Sequence, residues 1–248
     1  MTWDPLESLG ADQRRLLSEY ETLLREINQH INLISREDER QLFEHHILHS
    51  LALTRRRFPA GTSVIDWGTG GGLPAIPLAI AFPGVRFVAV DAVSKKVRAV
   101  RTMARRLGLE NLETWEGRAE SYFPVGEAAY SVSRATATLA DLWGWHARAA
   151  AAMRLDDHAR PERRPPLRLG ARGSPERLSL DDCWKPGLVC LKGGDLSKEI
   201  EDLTKASPNL DVAQHPLDEF IGAPYFREKY IVEVHDPAAP QGSRSDRT

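Results

Sequence analysis

The chain has 248 residues, 42% of them hydrophobic and 27% charged, with a formal net charge of −2. That length holds one large domain with a substantial core, or one domain and a small appendage. The charge excludes a protein that grips nucleic acid through its net field, so any such role must rest on local patches. The two cysteines, Cys183 and Cys190, are too few for a disulfide framework and match no zinc spacing.

The opening MTWDPLESLG has neither a basic start nor an apolar run, and no later run approaches the length of a membrane span. The expectation is a cytoplasmic chain without a signal peptide or membrane contact. Residues 12–31 read as an amphipathic helix. Leu16, Leu17, Tyr20, Leu23, Leu24, Ile27 and Ile31 share one face, with Asp12 as cap. This face is expected to pack on the core. A dimer seam would ask for a longer pattern, so a monomer is expected.

Asn32–Ser35 breaks the helix and a second begins over Glu37–Leu53. His45 and His49 stand four apart there, the spacing of two ligands on one face, with His46 between them. With no third ligand in view they read as ordinary helix histidines, and no metal is expected. Arg55, Arg56 and Arg57 follow, as a solvated linker or a phosphate contact. Residues 1–57 form an expected N-terminal helical cap.

Ser63–Trp67 is a short apolar run suited to a buried parallel strand. Gly68, Gly70, Gly71 and Gly72 crowd the next five positions, and glycine admits both φ > 0 and a close ligand. Leu73–Phe82 is an apolar helix with Pro74 in its first turn. Val85–Val90 is a second strand, ending in Asp91. The dinucleotide fingerprint G-x-G-x-x-G fails, because its third glycine falls on Leu73. The pattern present is D-x-G-x-G-x-G, carried by Asp66, Gly68, Gly70 and Gly72, and it resembles the S-adenosylmethionine (SAM) motif of Rossmann-like methyltransferases. SAM carries an ammonium and a sulfonium, which suit an acid ahead of the loop. Asp91, at a strand's carboxyl end, suits a pair of ribose hydroxyls. The competing reading is a structural turn in some other α/β protein.

Ser94–Gly108 is a helix with Val97, Val100, Ala104 and Leu107 inward. Lys95, Lys96, Arg98, Arg101, Arg105 and Arg106 lie outside, and no acid accompanies them. A solvated face and a phosphate contact both remain open. Leu112–Trp115 is a third strand, after which the backbone of Arg118–Glu120 is placed to read an adenine ring. Ala129–Ser133 is the fourth, and Arg134 at its end faces the transferred methyl or else pairs with a loop carboxylate. Ala137–Met153 is a helix whose Trp143 and Trp145 read as packing rather than base-stacking.

Arg154–Cys183 holds seven Arg, four Pro and no aromatic residue, and reads as a largely disordered insertion. A tolerated loop is favoured over an RNA-reaching arm. Leu188–Lys192 is the fifth strand and Leu196–Lys205 a short helix. Val212–Pro216 and Lys229–His235 close the sheet, giving a core over 58–235 and a disordered tail over 236–248.

These residues together resemble the bacterial small-subunit ribosomal RNA guanine-N7 methyltransferases called RsmG or GidB. The likeness runs from about Tyr20 to His235, apart from the insertion. It is carried in order by Asn32-Leu33, His46-Ile47-Leu48, Ser50-Leu51-Ala52, GTGGGLPAIPLA from Gly68 to Ala79, Asp91 with Lys95-Lys96, Gly117-Arg118-Ala119-Glu120, Ser133-Arg134-Ala135, Lys185-Pro186-Gly187 and Leu191-Lys192-Gly193. The glycine loop alone is generic. Its LPAIPLA continuation with GRAE and SRA is specific.

The resemblance implies an α/β, Rossmann-like class I SAM-dependent methyltransferase fold. Its sheet would be seven-stranded and mostly parallel, with an N-terminal helical extension. It implies SAM as cofactor and a guanine N7 in the 530 loop of 16S rRNA, within the small ribosomal subunit, as target. Gly68 and Leu73 would line the SAM site, Ala119 and Glu120 would sit at the adenine, and Arg134 would stand near the reacting end. Lys95 and Lys96 would meet the RNA. The chain departs from the family's usual residues at His49 (usually Asp), Trp67 (small apolar), Ala75 (Gly) and Thr136 (Phe). A small-molecule SAM methyltransferase and a non-catalytic RNA-binding or assembly protein are the alternatives. SAM affinity and salt-sensitive RNA binding separate them.

Overall fold

A computed structural model describes residues 3–35, 37–122, 129–134, 136–156 and 182–239. Ala135, the stretch 157–181 and the tail from 240 therefore lie outside the described residues, and with them most of the expected insertion. Seven strands form one sheet: β1 (Ser63–Trp67), β2 (Arg86–Asp91), β3 (Leu112–Glu116), β4 (Tyr130–Arg134), β5 (Gly187–Gly193), β6 (Asp211–Pro216) and β7 (Lys229–His235). Their spatial order is β3-β2-β1-β4-β5-β7-β6. The first five are parallel, and β7 runs antiparallel between β5 and β6. This is the seven-stranded, mostly parallel sheet expected.

The sequence explains which strands lie where. β1, β2 and β5 are largely apolar, β4 alternates Tyr130 and Val132 with the buried Ser131 and Ser133, and all four are buried nearly throughout, as strands covered on both faces must be. β3 and β6 carry exposed polar residues and take the edges. Trp67 is level with Val90 on one side and Ser133 on the other. The carboxyl ends of β1, β2 and β4 therefore emerge together, where successive strands diverge to opposite sides of β1. Such a divergence opens a crevice.

Among the described residues six α-helices flank the sheet: α1 (Ala11–Asn28), α2 (His49–Leu51), α3 (Ala75–Ala81), α4 (Ser94–Arg106), α5 (Leu139–Asp156) and α6 (Ser197–Ala206). On one face, Leu17, Tyr20 and Leu24 of α1 join Ile76, Phe87 and Val100 in a single apolar cluster. On the other, Leu139, Leu142 and Leu203 of α5 and α6 pack with Trp67, Val88 and Val232. The expected inner residues of α4 are all buried. Gly108, at φ 67°, ends α4 in a Schellman turn, with Gly108 N–H donating to Arg105 and Leu109 N–H to Ala104.

Most boundaries fall within two residues of the sequence reading, and α3 starts at Ala75, so that Pro74 is its N-cap rather than part of its first turn. Four further differences have a local reason. α1 stops at Asn28 rather than 31, because the Asn28 side-chain oxygen accepts the N–H groups of Leu33 (2.9 Å) and Ile34 (3.0 Å) and turns the chain. The helix expected over 37–53 is a succession of Asp38–Gln41 (3₁₀), Phe43–Leu48 (π), α2 and Ala52–Arg55 (3₁₀). α5 begins at Leu139, where Thr138 accepts the Asp141 N–H (3.2 Å) and donates to its carboxylate (2.7 Å). It runs past Met153 to Asp156. Finally, Asp182 and Cys183, expected within the insertion, are paired with Arg57, whose N–H donates to Asp182 and whose carbonyl accepts from Trp184.

Candidate functional site

A cleft of about 610 Å³ opens over the carboxyl ends of β1, β2 and β4. Its floor is the turn after β1, lined by Gly68, Thr69, Gly70, Gly71 and Leu73. Gly68, Gly70 and Gly72 all have φ > 0, between 56° and 91°. A Cβ on Gly68 would lie 2.0 Å from the Thr136 side chain, and one on Gly72 would lie 2.5 Å from Ile76. Gly70 is different, since the nearest atom to its Cβ position is the Gly68 carbonyl oxygen at 4.0 Å. Two glycines thus let the turn pack, and the third leaves bare backbone beside the cleft.

α1 and two acids hold this turn. The Tyr20 hydroxyl donates to the Gly71 carbonyl at 2.9 Å. Asp66, fully buried, accepts the Ala75 N–H at 3.2 Å and so satisfies a free donor at the start of α3. Burial pushes the Asp66 carboxyl up to about 7, against the pull of Thr69, the Ala75 N–H and Arg134. Asp91, at the end of β2, accepts the Gly70 N–H (3.0 Å) on one oxygen and the Val93 N–H (2.8 Å) on the other. It lines the cleft while fixing the most open glycine.

Lys96, Gly117, Arg118, Ala119 and Glu120 form the opposite wall. A Cβ on Gly117 would lie 2.4 Å from the Trp115 ring, so the chain can bend toward the cleft only because that residue is glycine. Trp145 of α5 also lines the cleft and lies 6.0 Å from Trp67, so it is both packing and cleft wall.

Arg134 enters from the end of β4. One Nη donates to the His45 carbonyl at 3.3 Å, and the other lies 2.8 Å from His46 Nδ1. Its buried Nε has no hydrogen-bond partner among the described residues. None of its hydrogen-bond partners among the described residues is a carboxylate, so the alternative role, a salt bridge to a loop carboxylate, finds no support there. Burial lowers its pKa, while Tyr225, Tyr20, Asp66 and Asp38 act in the other direction. A buried cation held by neutral acceptors keeps its charge for whatever enters the cleft.

Of the sequence candidates, Gly68, Gly70, Leu73, Asp91, Lys96, Ala119, Glu120 and Arg134 line the cleft together. Asp66, Gly72 and Lys95 do not. Asp66 turns beneath the loop, Gly72 is buried against Ile76, and Lys95 points outward from α4. Sequence reasoning missed Leu33, His46, Thr69 and Trp145 as cleft walls. A tyrosine on an otherwise aliphatic helix face was the one visible sign of the Tyr20 bond. Among the described residues no group of three or more His, Cys, Asp or Glu is placed to hold a metal, and no helix is long and apolar enough to cross a membrane.

The family model described as rRNA small subunit methyltransferase G matches residues 13–152. The chain is 49% identical over 235 residues to ribosomal RNA small subunit methyltransferase G of Salinibacter ruber, covering 94% of this chain and 98% of that protein. It is 35% identical over 215 residues to the protein of the same name from Flavobacterium psychrophilum, covering 86% and 87%. Among solved structures it is similar to Aeropyrum pernix fibrillarin with natively bound S-adenosyl-L-methionine, at 14% identity, a TM-score of 0.47 and coverage of 75% and 73%. The chain belongs to the rRNA small subunit methyltransferase G family. Its sheet is that of a Rossmann-like class I methyltransferase.

Within this family the four departures can now be placed. Thr136 donates its hydroxyl toward the carbonyls of Arg134 (3.0 Å) and Gly68 (3.3 Å), linking the β4 end to the glycine turn. Trp67 is buried between Tyr122 and Trp145, with ring centroids 5.8 and 6.0 Å away. Ala75 supplies the N–H that Asp66 accepts. His49 lies edge-on to Tyr225 and Phe226, and burial followed by Arg134 holds its pKa well below the usual value. A neutral imidazole there adds no charge beside Arg134.

Proposed function

We propose that the protein is a SAM-dependent methyltransferase acting on 16S rRNA of the small ribosomal subunit, at N7 of a guanine in the 530 loop. The observation that carries this reading is the pairing, in one cleft, of a Cβ-free backbone cradle with Arg134, a buried cation with no described carboxylate among its hydrogen-bond partners. Family membership supplies the substrate class.

The residues fit the cofactor. The cleft volume suits a nucleoside-sized ligand. Gly70 admits close backbone approach, Asp91 stands at the strand end where a ribose binds, and Ala119 and Glu120 form the wall assigned to adenine. Leu73 and Gly68 complete the floor. Asp66 and Gly72 shape the loop from behind. When bound, SAM supplies an electrophilic methyl on a sulfonium.

Guanine N7 has an in-plane lone pair and no proton at neutral pH, so no side chain need act as general base. The residues' task is orientation, which is worth up to ~7–11 kcal/mol in favourable cases. Arg134 cannot donate to N7 without competing for that lone pair, so its partner is guanine O6 or phosphate. The narrow A-form major groove hides N7, which favours a guanine in a loop or distorted helix. Lys96 at the cleft and exposed Lys95 on α4 would meet the phosphate backbone.

Residues 1–57 act as a helical cap on the 58–235 core, and the chain works as a cytoplasmic monomer. The test is methyl transfer from labelled SAM to small subunits lacking the modification, followed by mass mapping. Label on one 530-loop guanine is the expected result. Transfer only to small-molecule acceptors, or none with no SAM bound, would replace this reading.

A further inference from the structure

We infer that His46 is a positioning residue for methyl transfer: as a neutral imidazole it accepts a hydrogen bond from Arg134 and, with the adjoining His45 carbonyl, fixes that guanidinium in the cleft. The inference rests on the functional reading above for its consequence, and on geometry for its substance.

The bracket is built by two consecutive residues of the π-helical turn Phe43–Leu48. A π turn widens the backbone and is often found at functional sites. Here the His45 carbonyl accepts two side-chain donors, Arg134 Nη1 at 3.3 Å and the Tyr225 hydroxyl at 3.0 Å. The His45 ring is kept out of the cleft by stacking on Tyr225, with centroids 3.8 Å apart and planes 11° from parallel, and by Asp38 at 3.0 Å. The His46 ring is thereby left to face the cleft, where its Nδ1 lies 2.8 Å from Arg134 Nη2.

Arginine only donates, so Nδ1 must offer its lone pair and the proton must sit on Nε2. Nε2 is 3.9 Å from Asp38, beyond hydrogen-bond distance. A second proton on His46 would set an imidazolium against the guanidinium. The charged and titratable groups around His46 act unequally. Burial, then Arg134, lowers its pKa; Asp38 opposes them and His45 adds to them, leaving it at about 4. Buried His49 lies on the same segment and is held neutral in the same way. The choice of imidazole and carbonyl over carboxylate has a chemical consequence. Both acceptors hold the guanidinium plane without neutralising it, so orientation and charge are delivered together.

The test compares His46→Asn, whose amide oxygen stands near the former Nδ1, with His46→Phe, which fills the space without an acceptor. Transfer to unmodified small subunits, SAM affinity and thermal unfolding are measured for each. His46→Phe is expected to lose about 100-fold in kcat with SAM affinity within about threefold. His46→Asn is expected to recover most of that loss. Equal loss in both variants, unchanged kcat in His46→Phe, or a loss matched by SAM affinity or unfolding would overturn the inference.

A second readout needs no acceptor RNA. In the SAM-bound protein, side-chain NMR should show slow Arg134 guanidinium rotation in wild type and His46→Asn, and fast rotation in His46→Phe. Histidine nitrogen shifts should place the His46 proton on Nε2. A proton on Nδ1, or equal rotation in all three proteins, overturns the inference. If wild type methylates no subunit, the functional reading fails separately, and the NMR result still decides whether His46 holds Arg134.

Discussion

The Tyr20 hydroxyl donates to the Gly71 carbonyl at 2.9 Å across 51 residues of sequence. Both residues are buried, so this bond makes α1 part of the cofactor loop rather than a separate appendage. Tyr20→Phe keeps the ring and leaves the Gly71 carbonyl without its partner. The variant should lose about 1–3 kcal/mol in urea unfolding and bind SAM more weakly. Unchanged values for both would show that the tyrosine serves only as apolar filling.

Gly68 and Gly70 should respond differently to alanine. Both have φ > 0, a conformation that costs an L-residue about 1–2 kcal/mol. Gly68→Ala also drives a methyl to 2.0 Å from Thr136, so its unfolding free energy should fall by more than that strain alone. Gly70→Ala meets nothing closer than 4.0 Å and should fold, with its methyl in the way of the ligand. Calorimetry should find SAM affinity reduced about tenfold or more at modest stability cost.

Asp91→Asn replaces one carboxylate oxygen by an amide NH₂, and so opposes a donor to either Gly70 N–H or Val93 N–H. Loss of a hydrogen bond to a charged group is worth about 1.5–3 kcal/mol of stability, and the loosened glycine turn should bind SAM more weakly. If Asp91 also holds the ribose, part of the penalty should vanish for an analogue lacking the ribose hydroxyls. An equal penalty for both ligands would confine Asp91 to shaping the loop.

His146 is buried 2.9 Å from the Ser131 hydroxyl, and burial lowers its pKa from 6.5 to about 4. The unfolded chain therefore takes up this proton first as the pH falls. Stability contributed by keeping His146 neutral is complete above pH 6.5 and is lost on acidification toward 4, by roughly 3 kcal/mol in all. Asp66 acts oppositely, since the folded chain retains its proton between 3.8 and about 7. Subtracting the unfolding curve of His146→Gln from that of wild type, pH by pH, isolates the histidine. A flat difference between pH 6.5 and 4 would contradict the assignment.

The sheet is legible because β1, β2 and β5 are short, largely apolar runs separated by helical periods and β7 alternates, and because Asp91 and the glycine turn fall where β2 and β1 end. The pairing of Arg134 with His45 and His46 was not legible. It joins residues 88 and 89 positions apart through a π turn that no propensity signals. Motif and charge point to Asp66 as a ligand to the cofactor. Its position beneath α3 depends on a hydrogen bond to Ala75 that only the folded turn creates. The same limit applies to His45 and His49. Their i, i+4 spacing suits two ligands, but with no third ligand they read as ordinary helix histidines; the sequence does not show that one stacks on Tyr225 and the other meets it edge-on.

The most direct test of the account is Arg134→Ala, assayed for labelled methyl transfer to unmodified small subunits and, in parallel, for SAM affinity. The account predicts that kcat falls by about 100-fold or more while SAM affinity changes by less than about tenfold, because Arg134 orients the acceptor. Equal losses in transfer and in SAM affinity would contradict it and make Arg134 a cofactor-binding residue alone.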